Sequence, residues 1–209
     1  MIVRRLIREF DGVVRRALGV FEFADDPACL VRLRLTHLRH PRRLRDGVLP
    51  AGSPVLEIHL WNEHIPAMPA AGPDAQWATR TVRRLQHSLG LLAYAVRTTP
   101  RLGVVVAIGG PTTLLTDQPS YALLERLGFQ VLSGESPRLF SAFFQDLYRA
   151  ALVWAFNPPA LRGRKSIRFQ HDEIWMPTAV LLDRYHQDTR LPRPASRGGR
   201  IACRPPGGP

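Results

Sequence analysis

Apolar residues recur every three to four positions at Ile2, Val3, Leu6, Ile7, Phe10, Val13, Val14, Ala17 and Leu18. Arginines take the other side, at Arg4, Arg5, Arg8, Arg15 and Arg16. That period predicts an amphipathic helix over residues 2–18, its apolar stripe packed on the domain core. Glu9 and Asp11 interrupt the continuous apolar run that a secretory signal needs. A short strand is expected at Val20–Phe23, then a turn at Asp25-Asp26-Pro27. In residues 29–38, Leu30, Arg32, Arg34 and Thr36 alternate with Val31, Leu33, Leu35 and His37, which predicts a half-buried strand with a basic outer face. Pro41–Arg45 reads as a basic loop and Asp46-Gly47 as a turn. Over Val55–Trp61 the alternation puts Val55, Glu57, His59 and Trp61 on one face and Leu56, Ile58 and Leu60 on the other.

Residues 66–73 break the chain, and Asp74 suits the N-cap of a helix over 75–97 with an apolar stripe of Val82, Leu85, Leu89, Leu92 and Val96. Leu102–Ile108 holds three consecutive valines and reads as a central strand buried on both faces. Gly109-Gly110-Pro111-Thr112-Thr113 would close it as a tight turn. A helix over 119–127 should stop at Gly128 before a strand at Phe129–Leu132. Ser136 should cap a helix from Pro137 to Phe156, stopped by Asn157-Pro158-Pro159. Ser166–Trp175 reads as a strand and Thr178–His186 as a last helix. The fold class expected is α+β: a strand meander, then alternating helices and strands in a single mixed sheet. One domain over residues 1–188 is expected, with a disordered Pro/Gly/Arg-rich tail over 189–209.

Composition narrows the function classes. Among 209 residues, 45% are hydrophobic and 22% charged, and no apolar run approaches a membrane span. There are 29 basic and 17 acidic residues, a net charge of +12. Lys165 is the sole lysine, so the other 28 basic residues are arginine, a bias that a GC-rich genome produces without selection for binding. The excess sits at the two ends, because residues 51–189 hold 13 basic and 11 acidic residues. Basic ends suit an anionic surface, and the first helix with the arginine tail points to weak anionic membrane contact rather than nucleic acid. Arg32, Arg34, Arg39, Arg42, Arg43 and Arg45 could track phosphates, but no aromatic residues interleave them as a stacking platform requires. Cys29 and Cys203 fit neither a metal spacing nor a CxxC motif, and two inert thiols in a reducing, cytoplasmic setting are expected.

The densest polar cluster is EIHLWNEH, residues 57–64. Glu57 and His59 lie two apart on one strand face, about 6.5–7 Å between Cα atoms. A carboxylate that close orients an imidazole and raises its basicity. Glu57, His59 and Glu63 are therefore the candidate acid–base residues. Trp61 and Asn62 are candidates for substrate binding, the indole as a flat wall, with Thr112 and Thr113 joining from the neighbouring strand end. His37, His40, His59, His64 and His171 with Glu57, Glu63, Asp172 and Glu173 have no ligand spacing, so no metal or other cofactor is expected. Gly109–Thr113 has glycines and hydroxyls before a helix, as an anion loop does, but lacks a P-loop lysine.

Several of these segments together resemble the YkoP-like domain family. They are the amphipathic start, PAGSPVLEIHLWNEHIP (50–66), the long helix after it, LERLGFQV (124–131), and DEIWMP with the following LLDRY (172–185). The resemblance spans about residues 3–186. Its members stand alone or are joined to polysaccharide deacetylase domains, which implies a link to the bacterial cell envelope; the ligand expected is sugar-like or otherwise small and polar. The resemblance brings no established reaction. The order of Val55–Trp61, helix 75–97, Val104–Ile108 and Leu123–Val131 also resembles the GNAT acyltransferase superfamily, which implies a degenerate acyltransferase as an alternative. Residues 66–80 depart from that pattern, with one glycine and no pyrophosphate-loop motif.

Overall fold

The computed structural model describes residues 2–112, 118–133, 151–153, 155, 156, 158–161 and 172–185. Its elements are α1 (Ile2–Ala17), β1 (Val31–His37), β2 (Arg42–Leu44), β3 (Gly47–Leu49), β4 (Pro54–Leu60), α2 (Ala75–Thr98), β5 (Ala107–Thr112), α3 (Gln118–Leu127), β6 (Gln130–Leu132), β7 (Asp172–Pro177) and α4 (Thr178–Tyr185). Residues 151–153, 155 and 156 are helical, and Pro158–Leu161 form a 3-10 turn. The tail expected over 189–209 and Cys203 lie outside the described residues, as does most of the helix expected from Pro137.

The expected α+β class holds. Five strands form one mixed sheet in the order β1-β4-β5-β7-β6, and β2 and β3 form a separate hairpin. β1 and β4 pair antiparallel along their whole length, from Val31 opposite Leu60 to His37 opposite Pro54. β4 and β5 run parallel, with α2 as the crossover between them. The Asp74 carboxylate caps α2 by accepting from the Trp77 N–H at 2.6 Å. α3 ends as Gly128 predicts. The Gly128 and Phe129 N–H groups donate to the Glu125 and Leu124 carbonyls, and Gly128 has φ +101°.

The main core lies on one face of the sheet. Leu89, Leu92, Ala93 and Val96 of α2, Leu124 and Leu127 of α3, and Leu181 of α4 pack on Leu33, Leu56, Ile108, Ile174 and Met176. On the other face, Leu44 of the hairpin packs with Val55, Ala107 and Trp175. Arg42 fastens the hairpin there, its Nε and Nη2 donating to Glu173 at 2.5 and 2.7 Å.

Five local expectations are corrected. Residues 20–23 form only an isolated bridge, Phe21 to Leu33, and Pro41–Arg45 contains strand β2 instead of a loop. The valine run 104–106 precedes β5 as turn and irregular backbone, with Val104 62% exposed. Gly109-Gly110-Pro111-Thr112 is the strand itself, paired along β7 from Trp175 to Asp172. Glycine is needed there: a Cβ on Gly109, at φ +155°, would lie 1.9 Å from the Ile174 carbonyl oxygen. β7 therefore approaches too closely for any side chain. The strand expected to end at Trp175 runs on to Pro177.

The basic outer face of β1 is not a solvent face, since the Arg32 side chain is only 6% exposed. Nor does α1 rest on its apolar stripe. Asp11 is buried beneath it, whereas Leu6, Phe10 and Val13 are exposed.

Candidate functional site

The register of β1 on β4 sets Arg34 opposite Glu57 and Arg32 opposite His59. Two alternating strands of complementary charge thus meet on one sheet face. Arg34 Nη1 donates to Glu57 Oε2 at 3.2 Å. His59 Nε2 lies 3.8 Å from the same oxygen, a charge contact rather than a formed hydrogen bond. That nitrogen is shut off from solvent and has no hydrogen-bond partner, although the His59 side chain as a whole is 34% exposed. The His59 imidazole holds the Glu57 carboxyl below its ordinary value. The Arg34 guanidinium adds to this, and burial opposes it.

β4 ends at Leu60, where the Trp61 N–H donates to the Leu30 carbonyl at 2.7 Å. The indole stacks on His64 with centroids 3.8 Å apart, and the Arg32 guanidinium lies 4.2 Å from the Trp61 ring centroid. The indole ring is thus already in contact with two planar groups of the chain itself. His64 is fixed in turn, its Nδ1 2.8 Å from the Cys29 carbonyl oxygen and its own carbonyl accepting from Arg84.

Glu63 ties α1 to the sheet. Its Oε1 accepts from Arg15 Nη2 at 3.3 Å and its Oε2 from Arg32 Nη1 at 3.2 Å. Arg32 also meets Glu22 at 2.9 Å, which is how a buried guanidinium keeps its charge matched. Beside this junction is a cleft of about 260 Å³ lined by Arg8, Asn62, Glu63, Ile65, Ala67 and Phe156. The Arg8 guanidinium lies 5.0 Å from the Phe156 ring centroid.

The structure thus brings Glu57 and His59 together and sets Asn62 and Glu63 in a cleft further along the chain, whose lining does not include that pair. Thr112 does not join them. It pairs with Asp172 and lies three residues past Gly109, the partner of Glu57, roughly 10 Å further along the strand. Thr113 lies outside the described residues. Gly109–Thr112 also cannot serve as an anion loop, because it is paired strand rather than a loop opening a helix. Among the described residues, no group of three or more His, Cys, Asp or Glu is placed to hold a metal ion. Arg32, Arg34, Arg42 and Arg45 all contact carboxylates, so four arginines of the basic segment are already matched.

Arg8, Arg15 and Arg34 also belong to this site, and the spacing of Arg8 and Arg15 along the chain does not point to it. The signal was present for Arg34, because basic alternation in β1 mirrors the Glu57/His59 alternation in β4. Glu173, considered only as a metal ligand, instead holds Arg42 and accepts from Trp175 Nε1 at 2.8 Å. Burial alone would raise the Glu173 carboxyl, but Arg42 and Trp175 overcome this and lower it.

The YkoP domain family matches residues 2–185. The chain belongs to the YkoP domain family. The YkoP match runs from α1 to α4 and takes in every described residue of the site above. No curated protein and no solved structure matches the chain. The GNAT-like order gains nothing from this YkoP fold. The Trp77 amide in the first turn of its long helix is taken by the Asp74 carboxylate, where an acyl-CoA diphosphate would need open N–H groups. Among the described residues, no helix is long and apolar enough to cross a membrane.

Proposed function

We propose that this YkoP domain binds a small, polar, sugar-like ligand on the β4 side of the sheet and serves cell-envelope polysaccharide metabolism from the cytoplasm. Glu57 and His59 are its acid–base pair, and Asn62 and Glu63 are its binding groups. The observation that carries this reading is the His59 imidazole, with Nε2 turned inward beside Glu57 and out of water. The Glu57 carboxylate 3.8 Å away is close enough to orient that ring. The ring is one-third exposed, so a hydroxyl of the ligand can reach it. Sugar hydroxyls both donate and accept. The cleft offers matching groups in the Asn62 carboxamide, the Glu63 carboxylate and the Arg8 guanidinium, beside the apolar ring of Phe156. The envelope link is what the family resemblance implies, since its members stand alone or are joined to polysaccharide deacetylase domains.

The test is genetic. Glu57→Gln and Asn62→Ala, each at normal protein level, should reproduce the envelope phenotype of a deletion in the native host. An unchanged envelope with both variants would refute the assignment.

A further inference from the structure

We propose that α1 is a docking element for an anionic lipid surface. The inference rests on how the helix is seated and does not depend on the ligand reading above. Residues 6, 10, 13 and 17 follow one another at helical spacing and form one stripe. Leu6 is 61%, Phe10 58% and Val13 54% exposed, and Ala17 is exposed as well. The side of the helix turned to the protein is instead the seam holding Asp11 and Arg15. Asp11 is 4% exposed and pairs with Arg15 at 2.7 Å, and Arg15 reaches Glu63 at 3.3 Å. Fixed polar contacts thus hold the helix with much of its apolar stripe facing outward.

The charge beside that stripe says what covers it. Arg5 and Arg16 are exposed along its border, eleven residues apart and so on one line of the helix. Glu9 lies between them, 4.0 Å from Arg5, leaving a net positive border. A second copy of the chain laid antiparallel on the stripe would bring Arg5 against Arg16 and repel. A bilayer surface with anionic headgroups receives the arginines at headgroup level and the leucine, valine and phenylalanine below them. A helix of 16 residues, about 24 Å long, lies in the interface and does not span it. The contact is peripheral, strengthened by anionic lipid and weakened by salt.

Flotation of the full chain with vesicles tests this. One set is phosphatidylcholine alone, and the other is phosphatidylcholine with phosphatidylglycerol. The wild-type chain should float with the anionic set and much less with the neutral set. Leu6→Ser with Val13→Ser alters two exposed residues and should weaken partitioning about tenfold at an unchanged circular dichroism spectrum. Arg5→Gln with Arg16→Gln should weaken it and flatten its salt dependence. Three results would overturn the proposal. The first is full binding by Leu6→Ser with Val13→Ser, which would place any attraction in other arginines. The second is no flotation together with a dimer that this variant abolishes, which would assign the stripe to a second copy. The third is tight duplex DNA binding without vesicle binding.

Discussion

Glu57 and His59 share one strand face, with the imidazole Nε2 3.8 Å from the carboxylate Oε2 and out of contact with water. The pair makes the fold acid-sensitive in a definite direction. The Glu57 carboxyl is held below its ordinary value in the folded chain. Its contribution is therefore complete above the unfolded value, about 4.3, and is lost as pH falls through the lower folded value. Glu57→Gln should lower stability by about 1 kcal/mol near neutrality, because the groups are partly hydrated. The difference should vanish at the acid end. Urea midpoints measured from pH 7 downward check this, and a constant difference at every pH would contradict it.

Gly109 and Gly110 make a graded comparison. A methyl on Gly109 would meet the Ile174 carbonyl oxygen at 1.9 Å, backbone that cannot swing aside. On Gly110, at φ +133°, its nearest contact would be the Glu57 Cγ at an ordinary 3.6 Å. Gly109→Ala should cost more than about 3 kcal/mol or prevent folding, and Gly110→Ala about 1–2 kcal/mol from backbone strain. Chemical denaturation of both variants gives the order, and equal costs would contradict the close approach of β7.

Ser88 is fully buried in α2 and joins the helix to the start of β1. Its hydroxyl donates to the Arg84 carbonyl at 2.7 Å and accepts from the Leu30 N–H at 2.8 Å. Ser88→Ala leaves that buried N–H without its acceptor and should cost about 1–3 kcal/mol. Hydrogen exchange should localise the effect to the Leu30 amide and its neighbours in β1. A neutral substitution would mean that another group satisfies the amide.

Where local chemistry decides an element, the sequence was readable. Asp74 capped α2, its leucine stripe found the core, and Gly128 ended α3 as its type requires. The alternation in β1 and β4 was equally plain. What failed depends on contacts distant in the chain. Three valines read as a buried strand, yet the ladder pairing to β4 and β7 begins only at Ala107, after them. The arginines of β1 looked like a solvent face until Glu22, Glu57 and Glu63 came to meet them. Trp61 looked free because nothing nearby in sequence showed that Arg32 and His64 would contact it. For the candidate site, the strand pair was legible in period alone. Arg34 is hinted at by the matching alternation of β1, but Arg15 is not, since the seating of α1 is a tertiary fact.

The central claim is that the β4 side of the sheet is a binding site for a sugar-like molecule. Titration of the isotope-labelled full chain with N-acetylglucosamine, followed by amide and side-chain resonances, tests it most directly. Binding is expected in the millimolar range, about −4 kcal/mol. Saturable shifts should concentrate at Glu57, His59, Asn62, Glu63 and Arg8, including the Asn62 carboxamide, and be lost in Asn62→Ala. No shifts at these residues at saturating sugar, or shifts confined to another face of the sheet, would contradict it.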